Sequence, residues 1–253
     1  MCSNVSVTNS TTALCVMPPG SGTSVAVLVR LQLDASQKFD SSCNLLDYER
    51  PSITSLNHSN CSATSPVVLA DCPRLGSGLL TVTGSNFGPQ SAVVLVGSRI
   101  CTGLTHDAAN PSAAVYCTLP AGVEPGVLVL LIQSGGSVSA VGTSLGYTQC
   151  VAGTFQNGTS PSCAPCTAGR YTEDKGSSQC KDCSAGKFAA ASLSSSCVDC
   201  LAGRFQQAPA QSACVNCSAG SFTSDATTKY QCAPCQAGEM QPLPGQTGCA
   251  QCA

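Results

Sequence analysis

The clearest hydrophobic pattern in the chain is a series of short apolar runs in its central part. Residues 79–83 alternate apolar and polar side chains, as a half-buried strand does. Further short runs, separated by clusters of Gly, Pro, Ser and Asn, cover residues 92–96, 100–101, 114–118, 127–132 and 138–141. No stretch has helical periodicity. The pattern therefore predicts an all-β fold class in which short strands pack as a sandwich.

Residues 1–48 repeat the pattern of residues 101–147. In the same order, each stretch has two cysteines, a proline-containing turn, an apolar strand and a final tyrosine. The cysteines are Cys2 and Cys15 in the first stretch and Cys101 and Cys117 in the second, and the tyrosines are Tyr48 and Tyr147. We therefore expect residues 1–48 to be the C-terminal half of a truncated sandwich domain and residues 49–148 to be a complete one. Half a sandwich leaves an apolar face and a sheet edge open, so we expect further residues or a neighbouring molecule to complete it.

After residue 148 the apolar runs give way to a repeated cysteine phrase, Cys-x-Ala-Gly-x-aromatic. The phrase begins at Cys150, Cys166, Cys183, Cys200 and Cys217, and a copy with methionine as the last residue begins at Cys235. Each copy runs through a polar loop to a Cys-x-x-Cys pair whose second cysteine opens the next copy. A fixed period of this kind indicates a repeat array, here over residues 149–253.

Two chemistries could use these cysteines, zinc binding and disulfide formation. Cys150 has the same position in the phrase as Cys166 but has no Cys-x-x-Cys partner, so in a zinc ribbon it would bind no metal. In a series of sequential disulfides it would be paired. They would join Cys150 to Cys163, Cys166 to Cys180, Cys183 to Cys197, Cys200 to Cys214, Cys217 to Cys232 and Cys235 to Cys249, leaving Cys252 unpaired. An interlaced connectivity also fits the spacing. We favour disulfides and expect no metal and no cofactor.

Each repeat has one aromatic residue and few aliphatic ones, too little apolar surface to offset the entropy of ordering its loop. Closing such a loop with a disulfide removes about 3 kcal/mol of unfolded-state freedom in the chain-entropy model. The array is therefore predicted to be a disulfide-rich, loop-dominated rod.

The composition is that of an exported protein. The 253 residues include 20 cysteines, only 9% are charged, and the net charge is −2, which argues against a nucleic-acid partner. Asn-x-Ser/Thr sequons occur at Asn4, Asn9, Asn57, Asn60, Asn157 and Asn216, which are the predicted N-glycan sites. The first residues do not form a signal peptide, and the longest aliphatic run, 127–132, is too short to span a bilayer. We expect an extracellular or cell-surface fragment of a longer protein.

The cysteine phrase of residues 150–252 resembles the ephrin-receptor-like cysteine-rich repeats. In that family such repeats are extracellular rods that space or present other domains, and they carry no catalytic residues. The resemblance therefore implies a structural element and a disulfide framework in this part of the chain.

Residues 80–88, Leu-Thr-Val-Thr-Gly-Ser-Asn-Phe-Gly, together with Cys101, Cys117, Pro120 and Tyr147, resemble the IPT/TIG family of immunoglobulin-like domains. The resemblance implies that Phe87 is a core residue. A loop over residues 59–73 is an insertion relative to the family. We expect Cys61 to pair with Cys72, Cys101 with Cys117 and Cys2 with Cys15. Cys43 has no local partner, and we expect it to pair with an absent part of its domain, to pair with another molecule, or to be a free thiol.

Nothing in the sequence predicts catalysis. The two histidines, His58 and His106, lie in a sequon and beside Asp107 in a polar loop, and no paired carboxylates or nucleophile motif is present. We expect no enzyme activity. The function predicted is a structural or assembly segment of a large extracellular glycoprotein, forming a rod within a filament, coat or surface appendage. Large secreted proteins of algae and protists, mastigoneme-like proteins among them, resemble it. Its partners would be copies of itself or other extracellular structural proteins. The alternative is a ligand-binding ectodomain of a receptor or adhesion protein.

Overall fold

The computed structural model describes residues 3–9, 12–16, 20, 25–33, 36–224 and 229–252. The chain forms two compact units, Met1–Thr148 and Gln149–Ala253. The described residues form strands and turns, and no helix capable of crossing a membrane occurs among them. The prediction of an all-β chain with a sandwich followed by disulfide-bonded, loop-rich repeats is confirmed.

The first four strands form two antiparallel hairpins. They are β1 (Ser3–Asn9), β2 (Thr12–Val16), β3 (Val25–Leu33) and β4 (Ser36–Leu46), with β1 paired to β2 and β3 to β4. Gly20 lies against the ring of Tyr48, where a Cβ atom would be 2.3 Å from Cζ. Gly122 lies in the same way against Tyr147, 2.0 Å from Cε2. The two stretches that match in sequence therefore share a glycine–tyrosine contact that admits no larger residue.

Ten further strands form a two-layered sandwich. They are β5 (Ser52–Asn57), β6 (Ser62–Ser65), β7 (Val68–Cys72), β8 (Leu79–Ser85), β9 (Val93–Val96), β10 (Arg99–Ile100), β11 (Thr102–His106), β12 (Ala114–Thr118), β13 (Val127–Ile132) and β14 (Ser144–Tyr147). One sheet has the order β10-β9-β13-β14-β7-β6 and the other β11-β12-β8-β5. The pairings are antiparallel except β14 with β7.

The core lies between these sheets. Alternate residues of each strand point inwards, because successive side chains of a strand lie on opposite faces. Val94 and Val129 are fully buried from one sheet, and Leu80 and Val115 from the other. Phe87, the core residue implied by the IPT/TIG resemblance, is also fully buried. Burying each such side chain contributes roughly 1.5–3 kcal/mol, so this unit has a conventional hydrophobic core.

Two local predictions were wrong. Residues 138–141 do not form a strand, and only Val138 makes a bridge, to Ile132. The chain turns at Gly136, and Leu131 N–H donates to Ser139 Oγ (3.0 Å) in place of a continued ladder. Residues 59–73 are not simply a loop, since they contain the antiparallel pair β6–β7.

The described residues of the second unit include twelve short strands that form six antiparallel hairpins. They are β15 (Thr154–Gln156), β16 (Cys163–Pro165), β17 (Arg170–Tyr171), β18 (Lys181–Asp182), β19 (Lys187–Phe188), β20 (Val198–Asp199), β21 (Arg204–Phe205), β22 (Val215–Asn216), β23 (Ser221–Phe222), β24 (Ala233–Pro234), β25 (Glu239–Met240) and β26 (Ala250–Gln251). Each strand pairs with the next, β15 with β16 through β25 with β26. We number the repeats 1 to 6 from their first cysteines, which are Cys150, Cys166, Cys183, Cys200, Cys217 and Cys235.

Candidate functional site: the stacked cysteine-rich repeats

Each repeat begins with a tight turn that its Ala-Gly sequence makes possible. In repeat 2, Arg170 N–H donates to Thr167 O (3.1 Å), and Gly169 has a φ of 85°. A positive φ at the third residue of a four-residue turn is the requirement that glycine meets without strain. The turn then leads into the first strand of the hairpin, and the same arrangement recurs in the other repeats.

One disulfide closes each hairpin. The six bonds join Cys150–Cys163, Cys166–Cys180, Cys183–Cys197, Cys200–Cys214, Cys217–Cys232 and Cys235–Cys249. Their Cα–Cα distances lie between 5.6 and 5.8 Å, within the usual range for disulfides. The connectivity is the sequential one and not the interlaced one. Among the residues that the structure describes, no cluster of His, Cys, Asp or Glu could hold a metal ion.

Backbone hydrogen bonds tie each repeat to the next. The glycine N–H of one repeat donates to the residue after the aromatic position of the following repeat: Gly153 to Thr172 O (2.9 Å), Gly169 to Ala189 O (2.8 Å) and Gly186 to Gln206 O (2.7 Å). A second set runs in the opposite direction, from Leu193 N–H to Cys166 O (2.9 Å) and from Ala210 N–H to Cys183 O (2.8 Å). The repeats are therefore stacked, and they are not joined merely end to end.

The stacking also brings a repeat into contact with its second neighbour. A Cβ atom on Gly169 of repeat 2 would lie 2.2 Å from the carbonyl oxygen of Ala210 in repeat 4. Gly153 meets Leu193 O at the same distance, and Gly203 meets Gly245 O at 2.1 Å. These glycines are thus required twice, for the turn and for the close approach of a backbone two repeats away.

The buried positions of the stack are the first cysteine of a repeat and the residue after its aromatic. Cys166 and Cys183 are fully buried, and Thr172 and Thr223 are at most 1% exposed. The aromatic side chains of the phrase, such as Phe188 and Phe205, are only half-buried. Sequence reasoning missed the position after the aromatic. Its signal was the recurrence there of Thr, Gln or Ala, residues small enough or polar enough to sit inside a stack of backbones.

Thr172 shows what a buried polar side chain does at that position. Its hydroxyl accepts a hydrogen bond from Gly153 N–H (2.8 Å) and donates one to Thr154 O (3.2 Å). In repeat 5, Thr223 donates to Arg204 O (3.1 Å) in the equivalent way. The Thr172 hydroxyl therefore both accepts and donates a hydrogen bond, and the two bonds join repeat 2 to repeat 1.

Shallow grooves lie between successive repeats. The groove between repeats 1 and 2, about 520 Å³, is lined by Phe155, Pro165, Arg170 and Asp182 among others. A groove of about 310 Å³ between repeats 2 and 3 uses the equivalent positions, with Tyr171 and Lys187 in place of Phe155 and Arg170. Exposed ion pairs flank them: Arg170 with Asp182 (2.7 Å), Lys187 with Asp199 (3.2 Å) and Lys181 with Glu173 (2.6 Å). Exposed pairs contribute at most about 1 kcal/mol each to the free energy of unfolding. They therefore determine the charge pattern of the surface and add little to the stability of the fold.

The other predicted disulfide residues lie in the first unit. Cys61 is bonded to Cys72 and Cys101 to Cys117. Cys15 is disulfide-bonded, whereas its predicted partner Cys2 lies outside the described residues. The side chain of Cys43, in β4, is also outside them. Cys252 is a free, exposed thiol.

Four predicted glycosylation sites can be assessed in the structure. Asn57, Asn60, Asn157 and Asn216 are all exposed. Asn4 and Asn9 belong to β1, and their side chains lie outside the described part of the chain. Exposure is compatible with a sugar at each of the four.

Both histidines are engaged by backbone groups. His58, 4% exposed, accepts from Asn60 N–H at Nδ1 (3.2 Å), so its Nε2–H donates to Ser77 O (2.9 Å). His106 donates from Nδ1 to Pro111 O (2.6 Å). Each ring therefore supports a loop.

Asp107 organises the loop between β11 and β12. It accepts hydrogen bonds from Asn110 N–H (2.8 Å), Ala109 N–H (3.0 Å) and Tyr116 O–H (2.8 Å). These bonds, chiefly the one from Asn110 and then the one from Tyr116, lower the pKa of Asp107.

The comparisons with known proteins bear on the repeats. The family model described as tyrosine-protein kinase ephrin type A/B receptor-like matches residues 153–196, which begin in repeat 1 and end in repeat 3. Comparison with the curated proteins finds no match. Ephrin-receptor-like repeats and a high density of disulfides are typical of extracellular domains. This part of the chain is therefore similar to the cysteine-rich region of ephrin-receptor-like ectodomains.

Proposed function

We propose that the chain is a structural segment of a large extracellular or cell-surface glycoprotein and that its repeats form a stiff spacer within a filament, coat or surface appendage. The observation that carries the proposal is the stacking of the repeats. Gly169 N–H bonds to the next repeat, and Gly169 also abuts Ala210 two repeats away. A repeat that contacts both its first and its second neighbours can bend less than a domain joined to its neighbour by a flexible linker, as in other repeat proteins.

The first unit supports the same proposal. We propose that residues 49–148 are an IPT/TIG-like domain and that residues 1–48 are the corresponding half of a second one. The support is the fully buried Phe87 and the glycine–tyrosine contact shared by Gly20–Tyr48 and Gly122–Tyr147. Tandem domains of this kind followed by stacked repeats would present a uniform surface with few charged or large aromatic anchors, suited to lateral packing.

We also propose that the chain has no catalytic function. His58 and His106 are engaged by loop backbone, and the Asp107 carboxylate accepts three hydrogen bonds within its own loop. The partners proposed are copies of the chain or other extracellular structural proteins, with N-glycans on the exposed sequons.

Small-angle scattering and sedimentation velocity on the chain from an oxidising, secretory host test the spacer. We expect the repeats, residues 149–253, to scatter as a stiff segment, and the sedimentation coefficient of the chain to increase with its concentration. The matched control is the Gly169→Ala variant, in which the repeats should become more flexible. A wild-type chain that stays monomeric and binds one diffusible ligand at a single site would instead support the alternative, a ligand-binding ectodomain of a receptor or adhesion protein.

A further inference from the structure

The loop of repeat 1 contains an asparagine whose surroundings differ from those of the other sequons. Asn157-Gly158 is the one Asn-Gly pair in the sequence, and both residues are exposed. Gly158 has a φ of 57°, and no atom lies within 4 Å of the place where a Cβ would stand. No side chain therefore shields the backbone nitrogen of Gly158, so this nitrogen can attack the side chain of the preceding Asn157.

The hydrogen bonds of the loop leave the reacting groups free. Ser160 N–H donates to Asn157 O (3.2 Å), and Gln156 Nε2 donates to Gly158 O and to Ser160 O, both at 2.7 Å. These bonds hold carbonyl groups. Neither the side-chain amide of Asn157 nor the N–H of Gly158 has a hydrogen-bond partner within the described residues.

We propose that Asn157 is a site of spontaneous deamidation whose fate is decided by whether it carries a glycan. The backbone nitrogen of Gly158 attacks Cγ of Asn157 and forms a five-membered cyclic imide. The bond from Cγ to Nδ2 breaks, and Nδ2 leaves as ammonia with the proton given up by the Gly158 nitrogen. Water then opens the ring at either carbonyl and yields aspartate or isoaspartate.

A glycan and this reaction compete for one atom. N-glycosylation of the sequon Asn157-Gly158-Thr159 substitutes Nδ2, which is the leaving group of the deamidation. A glycosylated Asn157 is a poorer substrate for imide formation, because its leaving group is a bulky glycosylamine. This part rests on the proposed extracellular glycoprotein function, whereas the deamidation of an unglycosylated chain does not.

The product would alter the stacked repeats locally. Isoaspartate adds a methylene group to the backbone and a negative charge within the loop that the Cys150–Cys163 disulfide closes. The Gln156 side chain, which spans this loop through two hydrogen bonds, would lose its geometry. Deamidation would therefore change the structure of repeat 1 in chains that carry no glycan at Asn157.

The other exposed sequons are internal controls for the rate of deamidation at Asn157. Asn57 precedes His58, which is buried, and Asn216 precedes Cys217, which is buried and disulfide-bonded. Asn60 precedes Cys61, which is bonded to Cys72. A side chain with a Cβ follows each of these asparagines, and the neighbour is held in place, so attack by the following nitrogen is hindered.

The test uses the full chain from a glycosylating secretory host in three forms: wild type, Thr159→Ala and Gly158→Ala. Thr159→Ala removes the sequon and keeps Asn-Gly. Gly158→Ala keeps the sequon, and a sample of it made without glycosylation reports the effect of a Cβ. Each is incubated in mildly alkaline buffer and followed by peptide mass mapping and isoaspartate methyltransferase labelling.

In a Thr159→Ala sample made without glycosylation, so that Asn57 and Asn216 also carry no glycan, we expect Asn157 to deamidate about tenfold faster than those two residues, equivalent to about 1.4 kcal/mol of barrier. Unglycosylated Gly158→Ala should be slowed to the rate of those controls, and glycosylated wild type should stay intact at Asn157. Equal rates at Asn157 and the controls in Thr159→Ala would overturn the proposal, as would undiminished deamidation in Gly158→Ala or in the glycosylated form. A wild-type chain without sugar at Asn157 but with fast deamidation would contradict the glycan part and support the deamidation part.

Discussion

The residue that most constrains the repeats is the glycine of the cysteine phrase. Gly169 combines a φ of 85° with a backbone oxygen, that of Ala210, in the space of its missing side chain. Gly238 has an equivalent φ of 87°, but nothing lies within 4 Å of its Cβ position. The two glycines therefore separate the cost of backbone conformation from the cost of packing between repeats.

We predict that Gly169→Ala lowers the opening free energy of repeats 2 to 4 by about 3 kcal/mol, the sum of a left-handed alanine and an overpacked contact. Gly238→Ala should cost only about 1 kcal/mol, for the backbone conformation alone. Hydrogen exchange of the repeat amides with the disulfides intact measures both. Equal costs for the two variants would show that the contact with the second neighbour does not exist in solution.

The conformation of this glycine can be inferred from the sequence of one repeat, but the backbone two repeats away that packs against it cannot. A positive φ follows from local turn chemistry, which one repeat contains in full. The approach of Ala210 to Gly169 depends on how far each repeat is rotated relative to the one before it, a quantity that no spacing encodes. For the same reason the burial of Thr172 was missed, although Phe188, which is apolar and recurs in the repeats, is only half-buried.

At the scale of elements, the β11–β12 hairpin depends on the Asp107 carboxylate. Its pKa lies below the ordinary value of 3.8, so the unfolded chain binds a proton at a higher pH than the folded chain does. The stabilisation from Asp107 is therefore complete above that ordinary value and is lost as the pH falls through the folded pKa.

We predict that Asp107→Asn makes the hairpin less dependent on pH below about 4 and less stable at neutral pH. The amide oxygen can keep only the two bonds made to Oδ1, and more weakly, because the amide nitrogen that replaces Oδ2 cannot accept from Tyr116 O–H. Tyr116→Phe removes one of those bonds, that from the Tyr116 hydroxyl, and should give an intermediate pH dependence. Amide exchange or NMR shifts of residues 102–118 between acid and neutral pH provide the measurement. An unchanged acid dependence in Asp107→Asn would assign it to another carboxylate.

A disulfide in the middle of the stack should matter to more repeats than one at its end. Cys183, bonded to Cys197, accepts a hydrogen bond from Ala210 of repeat 4 and belongs to a repeat with stacked neighbours on both sides. Replacing both cysteines by alanine should cost about 3 kcal/mol and loosen repeats 1 to 5 together, since repeat 3 contacts its first and second neighbours on both sides. The matched change, Cys235→Ala with Cys249→Ala, should loosen only repeats 4 to 6, because Gly203 of repeat 4 contacts Gly245 of repeat 6. Exchange protection that is lost over the same number of repeats in both variants would contradict stacking as the source of cooperativity.

The sequence predicted the disulfide-bonded elements better than the sandwich strands. The preference for disulfides over zinc follows from the unpartnered slot of Cys150, which is a local count, whereas the choice of the sequential over the interlaced connectivity came from the structure. Residues 138–141 look like a strand by apolar content, yet the turn at Gly136 and the bond from Leu131 to Ser139 stop the ladder there. The β6–β7 hairpin contains the apolar run of residues 67–70, which we interpreted as part of an inserted loop, and β7 also pairs in parallel with β14.

At the scale of the whole molecule, the two units are stabilised by different physical means. Met1–Thr148 contains a hydrophobic core with Phe87, Leu80 and Leu131 fully buried. In the described part of Gln149–Ala253, the buried apolar side chains are cysteines and one alanine, Ala189. Apolar burial stabilises the sandwich, whereas the repeats depend on cross-links that limit the unfolded chain.

Reduction should therefore separate the two units. We predict that a reductant under otherwise native conditions unfolds residues 149–253 while the strands β5 to β14 retain most of their exchange protection, because only the Cys61–Cys72 and Cys101–Cys117 bonds are lost there and Phe87 stays packed. Hydrogen exchange followed by mass spectrometry, with and without reductant, measures both units in one sample. Zinc should not restore the reduced repeats, since each hairpin presents its cysteines as a pair and not as the four ligands of a tetrahedral site. Loss of protection in both units at the same reductant concentration would show that the sandwich also depends on its disulfides, and protection of reduced repeats by zinc would contradict the disulfide framework itself.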